Sequence, residues 1–128
     1  MIKSRICEML GIRYPVFQGG MAWVADAELA AAVSNAGGLG LISAINAGTE
    51  AVRNEIRKCK TLTDKPFGVN IMLQAPNAAE IAEMIVEEGV KIVTTGAGSP
   101  AKYLPMWKEN GIKVVPVIAC VAHAIKMQ

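Results

Sequence analysis

Tyr14-Pro15-Val16-Phe17-Gln18-Gly19-Gly20-Met21-Ala22-Trp23 is the stretch from which the fold is read. Val16 and Phe17 favour a strand, and Pro15 sits where a first strand residue needs no donor. The strand breaks at Gly19-Gly20, and Asp26 opens a helical pattern soon after. A strand running into a glycine pair before a helix lets bare backbone N–H groups approach whatever lies above the strand end. That favours a flat or phosphorylated ligand. An ordinary tight turn accounts for the same residues equally well, since no G-x-G-x-x-G follows.

Outward from this stretch the same punctuation recurs. Before it, residues 4–10 read as a short helix capped by Ser4, with Ile6, Met9 and Leu10 on the face that plugs or covers one end of the core. After it, a helix runs from the N-cap Asp26 to Asn35 and ends at Gly37-Gly38. Leu39–Ile42 is a second strand. A second helix of the repeat is capped by Thr49, with Val52, Ile56 and Cys59 as its apolar stripe. Phe67–Met72 is a third strand, followed by a capping-box-like start at Asn77 and Glu80 and a helix packing through Ile81, Met84 and Ile85. Lys91–Thr95 is a fourth strand; Ser99 and Pro100 then open a helix that places Leu104 and Trp107 inward and ends at Gly111. Lys113–Ile118 is a fifth strand, and a last helix starts at Val121.

Strands near 16, 41, 69, 92 and 115 thus alternate with helices roughly every 25 residues, and crossovers of that length join parallel neighbours. The class is α/β. Two architectures fit: a five-stranded flavodoxin-like doubly wound sheet, or the first five βα units of a TIM (β/α)8 barrel, which takes about 250 residues. The barrel is favoured, because no phosphate loop opens a helix and the tail Val121–Gln128 lacks a C-cap signal.

Composition agrees with buried parallel strands under helices: 52% of residues are hydrophobic and only 5% aromatic. A net charge of +2 is too small to point to nucleic acid or an anionic membrane surface. Cys7, Cys59 and Cys120 form no C-x-x-C and read as reduced, mostly buried residues of a cytoplasmic protein. The start of the chain leads to no apolar signal region, and the run Val114–Ile125 is too short to span a bilayer.

Ligands of either architecture sit at the C-terminal ends of the strands. Those ends carry Gln18-Gly19-Gly20-Met21-Ala22, Ser43-Ala44, Asn70-Ile71-Met72, Thr94-Thr95-Gly96-Ala97-Gly98 and Ile118-Ala119. The set holds neutral hydrogen-bonding groups and glycines, with no carboxylate, cysteine or cation. Acid–base hydrolysis and a metal site are therefore poorly supported. Such a surface can hold a planar heterocycle whose own chemistry does the work. Asn70 is the most telling residue, a polar amide ending a buried strand; it binds either a ligand or a neighbouring loop. Thr94 and Thr95 read first as β-branched strand residues. His123, the single histidine, reads as a helix-surface or packing residue.

Four blocks in order, Phe17–Val24, Asn35–Gly40, Lys65–Asn70 and Thr94–Gly98, carry a resemblance over the whole chain. Together they resemble the FMN-dependent nitronate monooxygenase / enoyl-ACP reductase II family, once grouped as 2-nitropropane dioxygenases. Gly19–Val24 and Leu62–Leu73 are most similar to the reductase branch. The resemblance implies a TIM barrel with FMN at its C-terminal mouth. It implies Gly20, Met21 and Ala22 along the ring, Asn70 hydrogen-bonded to it, and Thr95 and Gly96 bordering the ring and substrate space. It implies NAD(P)H as co-substrate and a small-molecule or acyl-carrier-protein-bound enoyl thioester as substrate in the reductase branch. In the monooxygenase branch it implies an alkyl nitronate and oxygen. A homodimer is the candidate assembly at full length. Family members are more than twice this length, and their active-site histidine and phosphate loops match nothing here. Residues 1–128 are therefore expected to be the amino-terminal part of one FMN-binding barrel domain, inactive alone, with no catalytic residue of their own. A stand-alone binding module is the non-enzymatic alternative.

Overall fold

The computed structural model describes residues 3–128. Its elements run α1 (Arg5–Leu10), α2 (Ala27–Asn35), β1 (Gly40–Ser43), α3 (Thr49–Leu62), β2 (Phe67–Met72), α4 (Ala78–Glu87), β3 (Ile92–Gly96), a 3₁₀ turn (Pro100–Lys102), α5 (Leu104–Glu109), β4 (Lys113–Pro116) and α6 (Val121–Met127). The four strands form one parallel sheet in the order β1-β2-β3-β4. A flavodoxin-like sheet reverses its strand order at a switch point. This one does not, so the doubly wound alternative fails and the wall of a barrel remains.

Register assigns the two faces. Ile42, Val69, Val93 and Val114 are paired in one row. They pack with Ala30 of α2, Ile56 of α3, Ile81 of α4 and Trp107 of α5 in the main core. That is the helix-covered face. The opposite face meets α1 instead: Cys7 and Leu10 pack with Leu39, Leu41 and Ile92. The short first helix therefore covers one end through Cys7 and Leu10, with Ile6 beside them, whereas Met9, expected on the same face, is exposed. Gly40 lets α2 lie close against β1, because a Cβ there would sit 1.9 Å from the Ala30 carbonyl oxygen.

Four expectations need correction. The first strand, expected over 15–18, reduces to a single parallel bridge between Phe17 and Leu39. Pro15 and the glycine pair leave it only three residues, and Gln18 completes the pairing with its side chain: its Nε2 donates to Leu41 O and its Oε1 accepts from Leu41 N, both at 3.1 Å. The fifth strand stops at Pro116 rather than Ile118. Two caps also differ. Gly48, not Thr49, occupies the N-cap of α3, and Asn77 makes no side-chain cap for α4. Their side chains link neighbouring units instead: Thr49 Oγ1 of α3 donates to Glu80 of α4 at 2.8 Å, and Asn77 Nδ2 to Ala47 O at 2.9 Å. Ser4 likewise caps α1 without a side-chain bond, whereas Asp26 and Ser99 accept from Leu29 N and Ala101 N as read from sequence.

An ion cluster ties α3 to the end of α4. Arg53 and Arg57 both donate to Glu88 Oε1 at 2.8 Å, and Arg53 also reaches Glu87 at 2.9 Å. Hydrogen bonds from Arg57, then Arg53, hold the Glu88 carboxyl down to about 2. No described helix is long and apolar enough to cross a membrane.

Candidate functional site

The segment after Phe17 is fixed from both ends. Gln18 N donates to Leu39 O, and Ser43 N donates to Ala25 O, so residues 18–25 form a loop over the exit of β1. Within it Ala25 N and Val24 N both donate to Met21 O, which folds the loop into a tight turn. Gly20 thereby comes down on β2. A Cβ on Gly20 would lie 2.3 Å from Asn70 Cβ and 2.5 Å from its Cγ and Nδ2. Glycine is required here, but the side chain it admits belongs to Asn70. The sequence reading assigned that space to a ligand; the structure shows that the amide takes up the first part of it.

Asn70 lies in register between Ser43 and Thr94 on the face away from the helices. Thr94 Oγ1 donates to Asn70 Oδ1 at 2.7 Å. Thr94, read from sequence as an ordinary strand residue, is thus the partner of the key amide. The signal that could have found it is period two: in parallel strands ending together, Asn70 and Thr94 point the same way. Thr95 points the other way. It pairs with Ile71 and Pro116 on the helix-covered face, and its hydroxyl is buried with no hydrogen-bond partner among the described residues. Gly96 continues the row of Asn70 and Thr94 through Met72, with open space at its Cα. Met21 is exposed and Ala22 half-buried on the loop above. The structure therefore brings Gly20, Asn70 and Thr94 into contact, sets Met21, Ala22 and Gly96 at the same end, and turns the Thr95 side chain away.

Backbone strain marks the same end. Among the described residues, the non-glycine positions with positive φ are Trp23, Asn46 and Ala97, at 68°, 56° and 55°. Each lies in a loop leaving the C-terminal end of a strand. Such conformations cost energy for residues with a Cβ and concentrate at functional sites. Trp23 also exposes 84% of its surface, beside exposed Met21 and Val24.

A concavity of about 460 Å³ opens at the opposite end, lined by Leu10, Phe67 and four lysines among others. Its lysines are already engaged. Lys60 donates to Glu88 O, Lys91 to Asn110 O and Lys113 to Met9 O, each at the C-terminal end of a helix, while Lys65 pairs with Asp64. Cations at helix C-termini satisfy orphan carbonyls and the dipole. This hollow is a seam of capped helix ends. His123 is exposed on α6, away from Asn70 in sequence and without a hydrogen bond from its ring among the described residues. No group of three metal-ligating side chains occurs among those residues.

The donor set at the mouth is neutral: an amide, a hydroxyl and loop backbone. It suits a flat ring bearing carbonyl and ring-nitrogen acceptors, as an isoalloxazine does, and it contains no group able to move electrons itself. Known proteins resemble the chain along nearly its whole length. The model of the nitronate monooxygenase family matches residues 3–128. A curated (3aS,4S,5R,7aS)-5-hydroxy-7a-methyl-1-oxo-octahydro-1H-indene-4-carboxyl-CoA dehydrogenase of Mycobacterium tuberculosis is 37% identical over 98% of the chain, which covers 36% of that protein. A nitronate monooxygenase of Pseudomonas aeruginosa is 46% identical over 63% of the chain, covering 23% of the relative. Among solved structures, FabK from Thermotoga maritima superposes with a TM-score of 0.97 at 44% identity; the match covers 99% of this chain and 41% of FabK. The chain thus spans well under half the length of these relatives.

Proposed function

Because the chain belongs to the nitronate monooxygenase family, we propose that it forms part of an FMN-dependent oxidoreductase of the enoyl-ACP reductase II type. Such an enzyme uses NAD(P)H to reduce enoyl thioesters, small or carried by acyl carrier protein. The observation that carries the reading is the likeness to FabK over 99% of the chain, at 44% identity, with the neutral Gly20–Asn70–Thr94 cluster at the strand exits. The carboxyl-CoA named for the M. tuberculosis dehydrogenase is also a thioester. When bound, FMN supplies the electron-transfer chemistry that these side chains lack. The chain's own part is to orient the ring. Asn70 would offer its amide to a ring acceptor, and Gly20, Met21 and Ala22 would line the ring through their backbone. Gly96, open at its Cα, leaves room for ring and substrate, and Thr95 serves by leading into that turn.

A second reading, oxidation of alkyl nitronates with oxygen, is favoured by the Pseudomonas relative, which is 46% identical across its aligned segment. The test is to purify the full-length gene product, identify any released flavin, and measure two reactions. NADH consumption with crotonyl thioester but no oxygen uptake with a nitronate supports the reductase. The reverse pattern supports the monooxygenase, and a colourless protein active in neither assay overturns both.

A further inference from the structure

We propose that Thr94 is a positioning residue that sets the polarity of Asn70, so that the amide presents N–H donors, and the group bound against it is a hydrogen-bond acceptor. The inference rests on the reading of the mouth as a flavin site. An asparagine amide has two unlike ends, and rotation by half a turn exchanges donor for acceptor. Here three observations fix the choice. Thr94 is only 4% exposed, and its hydroxyl makes one hydrogen bond among the described residues, to Asn70 Oδ1 at 2.7 Å. Turning the amide over would make Nδ2 the donor and leave the Thr94 proton without an acceptor in a buried place, which is unfavourable. Gly20 closes the other side, within 2.5 Å of Nδ2 if it carried a Cβ, so the side chain has no room to swing clear.

With Oδ1 occupied by Thr94, the outward end of the amide is Nδ2, which makes no hydrogen bond to a described residue. The residue is half-buried at the strand exit, with Nδ2 beside Gly20 of the 18–25 loop. A carbonyl oxygen or unprotonated ring nitrogen matches it, whereas a ring N–H opposes it. Thr94 thus acts on the ligand through Asn70 without touching it.

The experiment uses the full-length gene product and FMN itself as probe, reading the dissociation constant by flavin fluorescence and the absorption spectrum of the bound ring. Thr94→Val should weaken FMN binding about five- to tenfold, the loss of one oriented hydrogen bond, and shift the flavin absorption. Thr94→Ser should restore both. Asn70→Asp, which still accepts from Thr94 but sets a carboxylate against the acceptor, should bind FMN no better than Asn70→Ala. Melting temperatures identify any variant that fails to fold, and the Asn70 pair decides the polarity even if Thr94→Val is lost. Wild-type affinity and spectrum in Thr94→Val, beside weakened binding in Asn70→Ala, would overturn the positioning role and leave the flavin site intact. Tighter binding in Asn70→Asp would overturn the polarity. Absence of FMN binding by the wild type would overturn the flavin reading and this inference with it.

Discussion

Replacing Gly20 by alanine tests the geometry on which the site depends. The added Cβ would sit 2.3 Å from Asn70 Cβ and 2.5 Å from Cγ and Nδ2. Carbon atoms pack at about 3.5–4.0 Å, so more than about 1 Å of separation must be found. Asn70 Cβ is tied to the backbone of a central strand and cannot retreat as a flexible tip would. One route turns the amide away and breaks its 2.7 Å bond with Thr94, stranding a buried hydroxyl. The other lifts the 18–25 loop and strains the two bonds between the Gln18 amide and the Leu41 backbone. Either costs about 1–3 kcal/mol. Urea denaturation of the full-length gene product measures the loss. Asn70→Gly removes the opposing side chain, so in that background Gly20→Ala should cost at least about 1 kcal/mol less. An alanine variant as stable as the wild type, or one equally costly in both backgrounds, would refute the close-contact account.

Thr95→Val removes a buried hydroxyl with no partner and keeps the shape, so it should raise stability by about 1 kcal/mol in the same denaturation assay. Glu88→Gln should lower the melting temperature at neutral pH. The Glu88 carboxyl is held down to about 2 when folded, so its contribution is present above the ordinary carboxylate range and lost as pH falls towards 2; the difference between variant and wild type should shrink over that fall. In the native chain a thiol reagent should titrate exposed Cys120, while Cys7 and Cys59 should react only on unfolding. Burial, with Glu55 nearby, pushes the Cys59 thiol up to about 11, which adds to its protection.

The sequence discloses the elements whose local signals agree with their tertiary setting. The buried runs of β2 and β3 and the stripe Val52-Ile56-Cys59 of α3 fall where periodicity places them. The first strand fails because pairing is a matter of partners. Val16 and Phe17 have strand character, yet only one bridge forms, and a side-chain amide does the rest. Nothing in a propensity marks Gln18 as a surrogate for backbone. At the site, Asn70 was legible as a polar group in an apolar strand, and Gly20 as a position that excludes a side chain. What each excludes or contacts was not legible, because it depends on register and on how far the loop descends. The same limit separates Thr94 from Thr95: adjacent and identical, they differ only in the face they occupy.

The two ends of the sheet handle the same backbone requirement in different ways. At the strand-entry end, Gly11, Gly37, Gly89 and Gly111 take positive φ as the chain leaves a helix, and with no Cβ they do so without strain. Lysines there bind the helix-end carbonyls. At the exit end the positive-φ positions include Trp23, Asn46 and Ala97, where a Cβ makes the conformation costly, least so for asparagine. Glycine would relieve Trp23 and Ala97, and the chain uses glycine freely elsewhere. Their retention follows if the loop side chains or shapes matter more than the strain. The Asn70–Thr94 pair and the descent of Gly20 lie at this same end. The strain at the exit end thus surrounds the half-buried Asn70 amide, whose Nδ2 makes no hydrogen bond to a described residue.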